Sequence, residues 1–122
     1  MLYLDANVIL RYLLEDCEEF ISKSKDIIEN NDVYIRNEVL AEVVYVLEKT
    51  YKIPKKEIQI TLHNLLKSVN IVVDNKNIIN LALTLFENKN IDFVDALLCA
   101  YSRLNKEQIV SFDRKLNKCI NQ

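Results

Sequence analysis

The 122-residue sequence is half hydrophobic and 28% charged, with a net charge of −2, the composition of one soluble domain spanning residues 1–122 with room for a real core. No apolar run approaches the roughly 20 residues that span a bilayer, and no basic region precedes an apolar stretch at the N-terminus, so no membrane contact is expected and the cytoplasm is the expected compartment. With no glycine at all, neither G-x-G-x-x-G nor G-x-x-x-x-G-K-[ST] can occur, which excludes nucleotide binding through those loops.

The chain opens MLYLDANVILRYL. Leu2 to Leu4 read as a short strand that stops at Asp5, and an apolar pattern resumes at Val8, Ile9 and Leu10. Phe20, Ile21, Ile27 and Ile28 outline an amphipathic helix, and Val33 to Ile35 a second strand. Val39, Leu40, Val43, Val46 and Leu47 recur at helical spacing. Pro54 marks the next helix start, with Ile58, Leu62, Leu65 and Leu66 on one face. Ile71 to Val73 read as a third strand, and Asp74 fits the cap of a helix carrying Ile78, Leu81, Ala82, Leu85 and Phe86. A last long helix runs from about Asp92 to Leu104, and Ile109 to Ser111 form a fourth β-prone segment. Strands alternating with helices point to an α/β fold, a parallel sheet covered by helices.

Without glycine, left-handed turn positions should fall to asparagine; Asn30, Asn31, Asn75, Asn88, Asn90 and Asn105 stand where elements end or begin. Cys17, Cys99 and Cys119 are odd in number and far apart, which suggests neither a zinc site nor a disulfide framework. Cys99 fits a small core position in an apolar helix. His63 has no neighbouring cysteine or second histidine to share a zinc ion. A net negative charge does not advertise nucleic-acid binding, although a cluster of metal-binding acids can make a nuclease acidic while other faces stay basic.

In open α/β sheets, sites form beyond the carboxyl ends of the strands. Asp5 follows the first strand and Asp113 the last β-prone segment. Glu42 and Asp95 interrupt or adjoin apolar helical faces, where a charge is costly unless it is paired or bound to a metal. Each has an ordinary reading beside the functional one. Asp5, Asp92 and Asp113 can cap helices, Asp95 is a favourable first-turn acid, and Glu42 can lie at the edge of its stripe. Glu38 and Glu48 read as solvent-facing acids. No single acid is specific; their order carries the weight.

That order resembles the PIN-domain family, and within it the VapC-type toxin ribonucleases. The resemblance rests on Asp5-Ala-Asn7-Val8-Ile9-Leu10-Arg11, on Val39-Leu40-Ala41-Glu42-Val43-Val44, on Asp92-Phe93-Val94-Asp95-Ala96-Leu97 and on Ser111-Phe112-Asp113. It implies a three-layer α/β/α fold with a central, mostly parallel sheet of four to five strands. It also implies a Mg²⁺- or Mn²⁺-dependent endoribonuclease, the toxin of a type II toxin–antitoxin pair, with RNA as substrate, a cognate antitoxin as partner and a homodimeric state. Carried over residue by residue, the catalytic acids are Asp5, Glu42, Asp95 and Asp113, with Asp5 and Asp95 as direct metal ligands. Asn7, Ser111, Asp92 and Arg11 are supporting residues, and Arg11 can face RNA, a carboxylate or the antitoxin. Hard oxygen ligands suit those ions, and carboxylates brought together should raise one another's pKa.

Other readings are a non-catalytic PIN-fold module that binds RNA or protein, and a haloacid-dehalogenase-like phosphatase. The latter wants D-x-D after its first strand, and Asn7 stands at the second acidic position. A receiver-like phosphoacceptor would want paired acids there, and Asp5 has no acidic neighbour.

Overall fold

The computed structural model describes residues 1–122. Three two-residue strands, β1 (Leu2–Tyr3), β2 (Val33–Tyr34) and β3 (Ile71–Val72), form one parallel sheet in the order β1-β2-β3. Leu2 lies opposite Val33, and Val33 opposite Ile71. The central strand is anchored on both sides. Leu4 N–H donates to the Tyr34 carbonyl at 3.1 Å, and Ile35 N–H to the Val72 carbonyl at 2.9 Å.

Seven α-helices surround the sheet: α1 (Ala6–Leu14), α2 (Glu18–Glu29), α3 (Asn37–Tyr45), α4 (Lys55–Leu65), α5 (Lys76–Asn88), α6 (Phe93–Asn105) and α7 (Arg114–Ile120). A π-helical turn, Val46–Thr50, extends α3. The stripes read from the sequence face inward: Leu40, Val43 and Leu47 from α3 and its extension, Ile58 and Leu62 from α4, Ile78, Ala82 and Phe86 from α5. They join one cluster of 31 buried hydrophobic residues. Val33, Ile35 and Ile71 face this core, whereas Tyr34 and Val72 are half-buried and Tyr3 is exposed. Helices therefore cover one face of the sheet more fully than the other. Helix α3 packs on both α1 and α6, and α6 packs on α5 and α7. No helix is long and apolar enough to cross a membrane.

The expected α/β class and parallel sheet are present, with three strands where four to five were expected. Ile109 to Ser111 do not pair. The Ser111 hydroxyl accepts the Asp113 N–H at 2.9 Å, and its carbonyl accepts from Asn117 Nδ2 at 2.8 Å. These local bonds draw the segment into the approach to α7, in competition with a ladder. Its alternate residues Val110 and Phe112 are left in solvent.

One cap, the left-handed turns and one cysteine pairing also differ from expectation. Asn75, not Asp74, caps α5, accepting from the Asn77 and Ile78 N–H groups at 3.0 and 3.1 Å. Asp74 instead accepts from the Tyr34 hydroxyl. Of the asparagines assigned to left-handed turns only Asn90 has positive φ; Glu15, Lys52 and Lys106 hold the others. Cys99 is buried as expected, but it forms a disulfide with Cys119 that ties α6 to α7. Helix packing sets that pairing, so no spacing motif could announce it.

Candidate active site

Asp5 stands between β1 and α1, with extended φ and ψ of −90° and 171°. Its Oδ1 accepts the Val8 N–H at 3.1 Å, so the capping role is real and occupies one oxygen. Asn7 is the second residue of α1. Together with Glu42 of α3 they line one hollow of about 270 Å³, walled by Ala6, Leu10 and Val46. Asp5 and Asn7 also line a second hollow, with Arg11, Lys23 and Ser24.

Arg11 is already engaged. Its guanidinium lies 3.3 Å from Asp16 and donates to the Tyr51 hydroxyl at 3.3 Å, while that hydroxyl lies 3.1 Å from Asp16. The Tyr51 hydrogen bond, opposed by desolvation and aided by Asp16, holds the Arg11 pKa above its usual value. Of the three partners left open for Arg11, the structure supplies the carboxylate, from its own chain.

The second group of acids forms where α6 and α7 begin. Asp92 occupies the N-cap position of α6 but makes no side-chain cap bond, leaving its carboxylate free. Asp95 follows in the first turn. Burial, then the charges of Asp113 and Asp92, raise the Asp95 pKa. Asp113 caps α7, accepting the Leu116 N–H at 2.9 Å, and Ser111 fixes the approach to it through the bond already described. Asp92 and Asp95 open onto a hollow of about 290 Å³ shared with Tyr45, Glu48 and Lys49.

The structure thus brings Asp5 and Asn7 together with Glu42, and Asp92 and Asp95 under the influence of Asp113. Helix α3 contributes to both hollows, Glu42 to one and Ala41, Val44 and Tyr45 to the other. No three acidic, histidine or cysteine side chains lie close enough to hold a metal ion in this arrangement. The donor chemistry still fits: every candidate is a carboxylate or amide oxygen, as Mg²⁺ and Mn²⁺ prefer. Burial raises the Asp95 pKa most, and the like charges of Asp113 and Asp92 that add to it are the repulsion a cation held there would relieve.

Glu48 was missed as a site-lining residue. Its side chain is 18% exposed and lies 3.8 Å from Lys55 Nζ and 3.7 Å from Lys49 Nζ. The π-helical turn begins at Val46, so the regular helical phase that places Glu48 in solvent does not hold there. Lys55 was also overlooked. It donates to the Ile91 carbonyl at 2.9 Å and lies 4.2 Å from the centre of the Phe86 ring. Burial lowers its pKa against the opposing charges of Glu48 and Asp92. His63 is taken up by Asn80 at 3.0 Å, between α4 and α5.

The chain matches the family model described as PIN domain over residues 2–119. A VapC ribonuclease of Aquifex aeolicus (strain VF5) is 26% identical over 125 aligned residues, which cover 97% of this chain and 91% of that protein. No solved structure matches this chain. A family match that takes in the Asp5 turn, α3, and the starts of α6 and α7 alike leaves one assignment: this chain belongs to the PIN-domain family.

Proposed function

We propose that the chain is a single-domain, divalent-metal-dependent endoribonuclease, the toxin of a type II toxin–antitoxin pair, acting in the cytoplasm. The observation that carries this reading is the placement of Asp5, Glu42, Asp95 and Asp113 on adjoining elements of a PIN-family chain. The kinship with a VapC ribonuclease supports the substrate class and the antitoxin partner. The homodimer is carried over from the family resemblance.

Asp5 and Asp95 would hold a Mg²⁺ or Mn²⁺ ion directly, with Asn7 and Asp92 beside them. When bound, such an ion supplies a more acidic water and neutralises charge on the scissile phosphate. The protein's own share is distinct. The α1 N–H groups fix Asp5 through Val8, which holds one carboxylate oxygen and leaves the other to face the hollow. Glu42 approaches from α3 and can orient the attacking water or accept its proton. Asp95, whose pKa burial and then Asp113 and Asp92 raise, would offer its carboxylate oxygens to the ion from the first turn of α6. Asp113 completes the negative field from the start of α7.

Purified protein incubated with structured RNA tests this. Cleavage should require added magnesium or manganese, stop with chelator and be lost in Asp5→Asn. Cleavage that survives both treatments would overturn the metal-nuclease reading. The separation of the acids into two groups favours one alternative, a PIN-fold module that binds RNA without cutting it. Binding without cleavage at saturating metal would select that alternative.

A further inference from the structure

We infer that the hollow between the end of α5 and α7 is a subsite for the phosphate backbone of single-stranded RNA. It has a volume of about 350 Å³ and is lined by Asn88, Lys89, Lys115, Lys118, Cys119 and Gln122. Half of these residues are lysines, and no aspartate or glutamate lines it. In a chain of net charge −2, that is a local concentration of one sign in a concave place, where a field is focused rather than dispersed.

The three lysines are free. None lies in an ion pair, whereas Arg11, Arg36, Lys49 and Lys55 are each paired with a carboxylate. Helix dipoles explain two of them individually. Lys89 closes α5 and Lys118 lies in the last turn of α7, positions that favour cations. They do not explain Lys115. It is the second residue of α7, two after the N-cap Asp113, at the end of a helix where the dipole disfavours a positive charge. Lys115 and Lys118 are three apart, so they share a face of α7. Asn88 and Gln122 add amide donors suited to phosphate oxygens.

The floor of the hollow is held still. Cys119 is linked to Cys99, and Arg103 donates to the Cys119 carbonyl at 3.2 Å from Nε and 2.7 Å from Nη2. The hollow is tied to one of the acids through α7, since the helix that carries Lys115 and Lys118 begins at Asp113. A strand with one phosphate at the acids can therefore lay its flanking phosphates over these lysines. The inference rests on the ribonuclease reading for its ligand class and extends it to the path of the substrate.

The test is binding of a fluorescently labelled single-stranded RNA, measured by anisotropy in chelator so that no cleavage is needed. Each phosphate contact to a single strand contributes a slope of about 0.7 in log affinity against log salt. The variant Lys89→Gln/Lys115→Gln/Lys118→Gln should lose about 2 units of slope. Between 50 and 200 mM salt the wild type should then lose about 20-fold more affinity than the variant. A control of equal charge change on distant exposed lysines, Lys25→Gln/Lys56→Gln/Lys67→Gln, should keep the wild-type slope. With metal present, the hollow variant should show a raised KM and an unchanged kcat. An unchanged slope in the hollow variant, an equal loss in the control, or tighter binding of an acidic peptide than of RNA would each overturn the subsite. Because binding is read in chelator, failure of the nuclease reading through Asp5→Asn would leave this result standing.

Discussion

Asp113 accepts the Leu116 N–H through one oxygen while its charge acts on Asp95. The two roles can be separated by substitution. Asp113→Asn keeps an acceptor for the cap and removes the charge, whereas Asp113→Ala removes both. The alanine variant should lose about 1 kcal/mol of stability together with cleavage; the asparagine variant should lose cleavage alone. Melting curves beside cleavage assays decide this, and full activity in Asp113→Asn would remove Asp113 from the site. Asp95 makes a different prediction. Burial first, and then Asp113 and Asp92, hold its proton more tightly in the folded chain than in the unfolded one. Its contribution to stability is thus present below the ordinary aspartate range and is lost as pH rises through the raised folded value. In chelator, Asp95→Asn should melt above wild type at neutral pH, and the gap should close on acidification. A gap that widens in acid would contradict the assigned shift.

Helices α6 and α7 begin at the acids and are cross-linked from the middle of α6, at Cys99, to the last turn of α7, at Cys119. Closing a loop with a sequence separation of 20 residues restricts the unfolded chain by about 3 kcal/mol. Reductant should therefore lower the melting temperature by about 10 °C, and Cys119→Ser should reproduce the fall and make it insensitive to reductant. A melting temperature indifferent to reductant would refute the contribution. Element by element, the helices were legible because their apolar stripes repeat over three or four residues, a local signal. Pro54 correctly marked the start of α4. The misses all depend on something non-local or on a close local competition. Ile109 to Ser111 have strand-like residues, but their bonds go to Asp113 and Asn117. Asp74 and Asn75 are both good caps, and the Tyr34 hydroxyl takes Asp74.

At the scale of the whole molecule, a parallel α/β architecture was readable from the alternation of strands and helices, and the order of the acids along the chain named four candidates. What the order could not supply was distance. Asp5 and Glu42 share one hollow, Asp92 and Asp95 another, and α3 stands between α1 and α6. A cation that draws on both groups would bind the folded chain alone, because the unfolded chain scatters them. Manganese at about one hundred times its Kd should then stabilise the protein by about 2.7 kcal/mol, and Asp5→Asn should abolish the rise in melting temperature. An equal rise in wild type and variant would place the ion elsewhere.

The glycine-free backbone has a consequence of its own. Glu15, Lys52, Asn90 and Lys106 turn the chain at φ of 50°, 56°, 52° and 60°, a region in which a side chain costs roughly 1–2 kcal/mol. Glu15 ends the helix that starts at Asp5, and Lys106 ends the helix that carries Asp95. Both helices therefore run from a candidate ligand to a strained corner. Those corners lie at the ends remote from the acids, where a residue without a Cβ would fit, so the cost of a backbone without glycine is carried away from the candidate ligands and could be relieved there.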